Sequence, residues 1–519
     1  LSAKAIRRVP VVIVGAGPTG ITAATLLAQY GVDSLVLDRW RGVYPQPRAV
    51  HLDDEVYRVI ARLGIADEFA AISRPALGLR LLDGCLRVLA EFTRDTARSR
   101  NGFPQANMFD QPELEALLRS NLERHPPAEL RGDVEVTDVT DTGQCVRVTF
   151  TDHTDGTVHQ VDTDYLLGCD GANSLVRAQI GSAMRDLNFE QRWLVIDVAT
   201  DADLRQWEGV HQVCDPTRAG TYMRIGASRY RWEFQLLDGE CADEFGTLTA
   251  LRPLIAPWTA GVEDHELVLL RVTEYTFRAQ IAERWRRANI FILGDAAHLT
   301  PPFIGQGMGA GMRDAMNLAW KIAGVHHGNL APAVLDTYEQ ERKPHARSLI
   351  RLALNVGRAM TGGARVGNVL RRVVLPRLRL LPGLRDKVVD STTPALRSSA
   401  LVCRSRRPGQ LAGTLCPNPR LADDQRLDEV LGSGFGLITT RSPNAADEAA
   451  LAQRGFIVLV TQPGDELAHW LRDGHAAAAL VRPDRAVMRA GRDVGALCAW
   501  ACGIVDGRFS PTLKSGARR

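Results

Sequence analysis

The stretch from Val9 to Asp38 constrains the fold more than any other part of the chain. An apolar, β-rich run, Val9–Val14, leads into Gly15-Ala16-Gly17-Pro18-Thr19-Gly20. An apolar helical segment, Ile21–Tyr30, follows and stops at Gly31, and a second short run, Ser34–Leu37, ends on Asp38. Glycines at this spacing permit a tight strand-to-helix turn and bring backbone N–H groups at a helix N-terminus up to a pyrophosphate. A carboxylate closing the next strand can accept hydrogen bonds from a ribose. A lone G-x-G-x-x-G is a weak signal, whose bland reading is a plain turn with Asp38 a solvated strand end. Here strand, helix, second strand and acid agree on an α/β dinucleotide-binding unit, with FAD and NAD not yet separated.

Two further glycine–acid turns separate them. Gly168-Cys169-Asp170-Gly171-Ala172-Asn173-Ser174-x-x-Arg177 follows one apparent strand, and Gly294-Asp295-Ala296-Ala297-His298 follows another. The latter runs on through Pro301-Pro302-Phe303-Ile304-Gly305-Gln306-Gly307-Met308-Gly309 into a helix carrying Asp314 and Asn317. Three such turns fit a ligand longer than the binding half of NAD. Gly305 and Gly307 let backbone amides approach a planar ring, and the positive end of the following helix can stabilise negative charge there.

The combination resembles the single-component flavoprotein aromatic hydroxylases, the family of para-hydroxybenzoate hydroxylase and phenol hydroxylase. The residues that carry the resemblance are GAGPTG at 15–20, CDGANSLVR at 169–177 and GDAAHLTPPFIGQGMGAGMRDAMNLAWKIA at 294–323. PRAVHLDDE at 47–55 and FDQPELEALL at 109–118 look most like 3-(3-hydroxyphenyl)propionate hydroxylases. The resemblance implies FAD, with NADH or NADPH and O2 as co-substrates. It also implies a flavin C4a-hydroperoxide that passes its distal oxygen to an electron-rich ring.

Carried over by motif, Gly15, Gly17, Gly20, Asp38 and Arg39 would hold the ADP half of FAD. Arg48 and Gln111 would contact the pyrophosphate and flavin side, and Gly294 and Asp295 the ribityl or pyrophosphate region. Pro302, Gly305, Gly307, Met308 and Gly309 would border the isoalloxazine, with Pro302 and Gly305 at the reacting edge. Asp170 would serve both FAD and the reduced nicotinamide. Many members have Asn where this chain has Gly309, so a side-chain contact to the flavin is lost there. His51 is a candidate proton relay whose bland reading is a loop or cap histidine, and His298 is expected to brace its turn. Tyr222, Arg224 and Trp232, on alternating strands, and Phe303 are candidate substrate contacts, although half-buried sheet packing explains the aromatics equally well.

The rest of the chain organises around these motifs. The expected fold is α/β, an FAD-binding Rossmann-like unit of the para-hydroxybenzoate hydroxylase type with an inserted sheet domain. The FAD unit would cover residues 1–184 and 286–364, the strand- and aromatic-rich insertion 185–285, and an arginine-rich helical connection 365–408. Residues 409–519, which include ALVRPD at 479–484, resemble the thioredoxin-like C-terminal domain of the phenol hydroxylase branch. They lack a C-x-x-C pair, so packing or dimer contact is the expected role.

Sixty-three Lys+Arg against 60 Asp+Glu leave +3 on 519 residues, too little for an electrostatic nucleic-acid binder. Apolar stretches such as Ala496–Val505 fall short of the ~20 residues of a membrane span. No apolar signal region precedes Val9, and nine scattered cysteines suggest neither a disulfide scaffold nor a metal site. The expectation is a cytoplasmic enzyme, possible as a homodimer, without metal or stable membrane insertion, acting on a small phenolic compound. A polyketide-tailoring aromatic hydroxylase or Baeyer–Villiger oxygenase stays open as a second reading, and a non-catalytic binding protein of the same fold as a third. A flavin halogenase is disfavoured because no Trp-x-Trp-x-Ile-Pro segment occurs.

Overall fold

The fold comes from a computed structural model that describes residues 6–44, 48–361, 393–404 and 409–505. Its first sheet has a parallel core in the order Ile290–Ile292, Val158–Gly168, Arg7–Val14, Ser34–Leu37, Ala128–Arg131. Val11, Val12 and Ile13 have no exposed surface, as a strand covered on both faces requires. The antiparallel strands Val134–Asp141 and Val146–Asp152 extend from Val158–Gly168, as the alternation in that region predicts. Helices Pro18–Gln29 and Gly307–His326 pack against each other over this core. Each fully buried Val, Ile or Leu side chain adds ~1.5–3 kcal/mol, so the sheet and its helices form a rigid platform.

Parallel pairing has one consequence for function. The C-terminal ends of four neighbouring strands, at Ile292, Gly168, Val14 and Leu37, come out on one edge of the sheet. All three glycine turns and Asp38 sit directly beyond those ends, the position at which open α/β sheets bind ligands.

The second sheet is antiparallel over most of its width. Its strands run in the order His298–Leu299, Val268–Ala282, Met184–Ala199, Arg229–Gln235, Gly220–Arg224, Val210–Val213, Gly78–Leu82, Val88–Thr93. Two of its eight strands therefore come from residues 78–93, ahead of the 185–285 segment, and a third from His298–Leu299. Sequence periodicity places none of the three in this sheet; the pairing between Gly78–Leu82 and Val210–Val213, for one, is a long-range contact that no local pattern announces. One face is covered by helix Leu248–Ile255, against which Leu194, Ile196, Val198, Tyr222, Tyr230, Trp232 and Phe234 pack. The other face turns toward the FAD-type unit. Met223 on it meets Val50, Ala106 and Met108, and Arg231 donates to the Arg48 carbonyl at 3.2 Å.

The C-terminal unit carries a four-stranded sheet in the order Phe456–Val460, Phe435–Thr439, Ala478–Val481, Val487–Gly491. The first pair is parallel and the rest antiparallel, the arrangement expected of a thioredoxin-like sheet. Helix Val494–Val505 buries Leu497, Cys498, Ala501 and Ile504 against it. Of the 365–408 connection, residues 365–392 and 405–408 lie outside the described residues. The part that is described, 393–404, is not helical. It is pinned by a Ser399–Val402 bridge and by buried Leu396, Leu401 and Val402. No helix of the described residues is long and apolar enough to cross a membrane.

Candidate functional site

The three turns interlock. Gly15 N–H donates to Leu37 O at 2.8 Å, Cys169 N–H to Val14 O at 2.7 Å and Leu293 N–H to Gly168 O at 2.9 Å, so neighbouring strand ends hold one another. A Cβ on Gly15 would lie 2.3 Å from the Cys169 carbonyl oxygen, and one on Gly20 would lie 1.9 Å from that of Gly15. A Cβ on Gly294 or Gly311 would strike Thr19 Oγ1, at 2.8 and 2.1 Å. Thr19 is thus the contact on which the first and third turns close, and its small size permits the crossing of the two helices.

Behind the third turn, buried Asp314 accepts from Gly294 N–H at 3.1 Å and from Arg342 Nε at 2.8 Å, with His298 Nε2 at 2.8 Å. The Arg342 guanidinium and His298 hold the Asp314 carboxyl below its ordinary range despite burial. His298 is committed to bracing the turn.

Two helix N-termini open on this cleft with no side chain capping them and no acidic residue in the first turn. One is Pro18–Gln29, preceded by Gly17, and the other is Gly307–His326, preceded by Gln306. Each leaves backbone N–H groups and the positive end of a helix dipole available to an anionic group. A Cβ on Gly17 would meet no atom within 4 Å, and one on Gly307 only Thr300 O at 3.9 Å. Those two glycines face space that the protein itself does not fill, beside two donors of positive potential.

A model of the FAD-binding domain matches residues 8–353 of the 519. The chain belongs to this FAD-binding family. A Burkholderia vietnamiensis relative named 3-(3-hydroxy-phenyl)propionate/3-hydroxycinnamic acid hydroxylase 2 is 35% identical, over 83% of this chain and 79% of its own. A Rhodococcus jostii relative named probable NADH-specific resorcinol 4-hydroxylase is 32% identical, over 96% and 95%. Among solved structures, aklavinone-11 hydroxylase with FAD and aklavinone has a TM-score of 0.79 at 24% identity, covering 97% of this chain and 99% of that one. The flavin-dependent monooxygenase PieE with FAD and substrate has a TM-score of 0.78 at 23% identity, covering 96% and 98%; at these identities the likeness is one of fold.

FAD is the cofactor of this FAD-binding chain, and the residues present fit it. The pyrophosphate requires close backbone approach at an uncapped helix end, and open Gly17 ahead of Pro18 supplies it. Asp38, 9% exposed, accepts from Ala16 N–H at 2.5 Å and Trp40 N–H at 2.7 Å, which fixes its carboxylate at the strand end. Arg48 Nη1 lies 3.7 Å from Asp295 Oδ2, both partly exposed at the mouth. Gln111 does not reach outward: its Oε1 accepts from the N–H groups of Arg48 and Ala49, at 2.7 and 2.6 Å, and its Nε2 donates to Glu115 at 2.6 Å. It shapes the Arg48 loop. Arg39 is exposed, with its guanidinium over Trp40 at 5.6 Å.

Several residues named from the motifs have partners within the protein. The Asp170 carboxylate is spent on its own turn, accepting from Ser174 Oγ at 2.5 Å and Val176 N–H at 3.1 Å. Burial raises its pKa against those bonds. It braces the turn. The missing Cβ of Gly309 would meet Val56 at 2.7 Å and Arg313 at 3.0 Å, so glycine there serves helix packing. His51 lies against Gly305, whose added Cβ would be 2.7 Å from Nδ1, and burial pushes its pKa down to about 4. A group so weakly basic is a poor relay near neutral pH.

Tyr222 and Trp232 lie on the sheet face covered by helix Leu248–Ile255, opposite the face on which Met223 meets Val50, Ala106 and Met108. Tyr222 stacks on Trp232 at 4.9 Å and tilts against Trp258 at 5.3 Å, inside the core under helix Leu248–Ile255. Arg224 shares that side, pairing with Glu208 at 3.0 Å and lying over Tyr230. Strand alternation separates two sets of residues but not which set meets the cleft. The opposite set does so, and sequence reading passed it over: Trp193, Asp197, Met223, Arg231, Arg271 and Tyr275. Phe303 is on the cleft side, packed edge-on against Trp193 at 6.0 Å and Phe189 at 5.6 Å. Also missed was Arg119, whose Nη2 lies 3.4 Å from Ala16 O; its buried Nε has no hydrogen-bond partner among the described residues. Its only sequence signal is helical spacing from Gln111 and Glu115.

Proposed function

We propose that the chain is a monooxygenase that hydroxylates a phenolic aromatic compound, with a hydroxyphenylpropionate-like acid as its substrate class. One atom of O2 enters the ring as hydroxyl, the other leaves as water, and NADH or NADPH supplies the two electrons. FAD, when bound, accepts those electrons and activates the oxygen. The observation that carries this reading is the chemistry of the sheet face opposite the Pro302–Gly309 turn. Aromatic rings there surround a buried charge cluster, and the relatives that match over most of the chain are named for small phenols.

The residues divide the work. Trp193, 1% exposed, with Phe277 at 5.7 Å and Phe303, forms an apolar wall that excludes water from the oxygen-transfer region. Asp197 pairs with Arg231 at 2.7 Å and Arg271 at 2.9 Å, and Arg271 donates to the Tyr275 hydroxyl at 3.3 Å. Two guanidinium groups held by one aspartate suit a carboxylate-bearing substrate, and the Tyr275 hydroxyl suits a phenolic oxygen. Glu233, on the same face, has its pKa raised by burial, against the pull of the neighbouring Arg231.

At the cofactor, Gly15, Gly17, Gly20, Asp38, Arg39 and Arg119 would hold the ADP half, and Arg48 and Asp295 the middle. Pro302, Gly305, Gly307 and Met308 would border the ring system, with His51 packed behind Gly305. The unit boundaries proposed are 1–184 with 286–364, 185–285 joined by strands 78–93, and 409–519. A homodimer in the cytoplasm completes the reading.

Substrate-dependent NADH and NADPH oxidation across hydroxyphenylpropionates, resorcinols and polycyclic phenols, with product analysis, tests it. Hydroxylated phenylpropionate supports the proposal, and turnover confined to polycyclic phenols moves the chain to polyketide tailoring. Binding of FAD without acceleration by any phenol sinks the hydroxylase reading.

A further inference from the structure

The residue before the flavin-facing helix is Gln306, a side chain long enough to fold back onto that helix's own N-terminus. It does not do so, because it is held elsewhere. Its Nε2 donates to Asp53 Oδ2 at 2.7 Å, and its Oε1 accepts from Arg313 Nη1 at 2.9 Å. Arg313 closes the triangle on Asp53 Oδ2 at 2.5 Å, and its Nε lies 3.0 Å from Glu55 Oε1. Gln306, Arg313 and Asp53 are 8%, 4% and 1% exposed, so the charges of the clamp are shielded from solvent. The first intrahelical bond is Ala310 N–H to Gln306 O at 2.9 Å, so the N–H groups of Gly307, Met308 and Gly309 precede it. Glu55 in turn accepts from Thr393 Oγ1 at 2.7 Å, which ties the clamp to the chain leading into the C-terminal unit.

We propose that Arg313 and Asp53 are positioning residues that restrain the Gln306 amide, so that the N-terminus of the Gly307–His326 helix stays uncapped for the pyrimidine edge of the flavin. Negative charge develops on that edge when the flavin is reduced, and free N–H groups at a helix end stabilise it. A side chain that caps the same groups competes with the flavin for them. The clamp therefore sets how much more tightly reduced FAD is bound than oxidised FAD. This rests on FAD occupying the cleft as described, but not on the identity of the aromatic substrate.

The test is the two-electron midpoint potential of the bound flavin, measured by dye equilibration on the holoenzyme, together with the FAD dissociation constant of the apoprotein. Arg313→Gln frees the Gln306 amide, and Gln306→Ser places a short capping hydroxyl at the helix end without removing a buried charge. Both should cut the preference for reduced over oxidised FAD by about tenfold, a fall of ~30 mV for a two-electron couple. Gln306→Ala, with nothing to cap the helix, should keep the wild-type potential, and Arg313→Gln combined with Gln306→Ala should recover it. Wild-type potentials in Gln306→Ser and Arg313→Gln overturn the proposal, as does an equal fall in Gln306→Ala and Gln306→Ser. If Arg313→Gln does not fold, the two Gln306 variants alone decide. Failure of the hydroxylase reading would show in the phenol panel and leave these potentials unaffected.

Discussion

Replacing Gly17 by alanine separates cofactor space from packing space in a single methyl group. The backbone there has φ −72° and ψ −179°, open to any L-residue, and the added Cβ would meet nothing within 4 Å. In the apoprotein the change should be nearly silent. Alanine gains about 0.4–1 kcal/mol through the unfolded chain and loses about as much as a poorer helix N-cap. Net stability should stay within ~1 kcal/mol of wild type. With FAD the balance changes, because the methyl group stands where the pyrophosphate must approach the backbone. Losing one charge-assisted hydrogen bond costs about 1.5–3 kcal/mol, which weakens FAD binding by about 10- to 100-fold. The assay pairs urea unfolding of apoprotein with titration of FAD fluorescence. Gly20→Ala is the contrast: its Cβ would lie 1.9 Å from Gly15 O, so it should damage folding before any FAD is added. Wild-type FAD affinity in a folded Gly17→Ala protein would refute the placement of the pyrophosphate.

Further outcomes follow from other parts of the structure. Asp295→Ala should weaken FAD retention by about tenfold, since Arg48 loses its partner at the mouth; unchanged affinity by calorimetry removes Asp295 from the site. Tyr222→Phe should leave KM for any phenol within about twofold, because that hydroxyl lies on the far face of the sheet, whereas Tyr275→Phe should raise KM. Equal KM effects for the two would contradict the assignment of faces. Glu341→Gln should cost ~3–5 kcal/mol in urea unfolding, because it leaves Lys321, without exposed surface, facing an uncharged partner, while Arg482 keeps only Asp484. His51, held down to about 4 by burial, and His345, pushed well below its ordinary value by burial and the neighbouring Arg342, are unprotonated in the native state near neutral pH. The unfolded chain then binds more protons, so the stability that both groups leave intact above pH ~6.5 is lost as pH falls from 6.5 toward 4. His345→Gln should flatten that acid limb, and an unchanged slope would show that His345 does not titrate there.

The cofactor unit was legible in residues 9–38, 168–177 and 294–309 because its signals are local. A turn that needs glycine, an apolar run buried on both faces, and a carboxylate at a strand end each leave a mark in neighbouring residues. Helix Asp54–Arg62 is marked in the same way, with Asp53 accepting from Val56 N–H at its start. The hairpin of Gly78–Leu82 and Val88–Thr93 was not legible as part of the second sheet, since Gly78–Leu82 joins that sheet through Val210–Val213, more than a hundred residues away. The facing of the second sheet was not legible for a subtler reason: Tyr222 and Trp232 announce a two-residue period, and period alone carries no direction.

The sequence by itself therefore determined that this chain is built around three glycine turns of an FAD-binding unit, because backbone sterics at those turns are properties of a few adjacent residues. Tertiary structure alone decided which face of the second sheet turns toward the FAD-type unit, that the Asp170 and Gln111 side chains bond to nearby protein groups, and that Asp53 and Arg313 hold Gln306. Each of those outcomes depends on a partner supplied by a distant segment, and a buried side chain's role is fixed only when the group that satisfies it is in place.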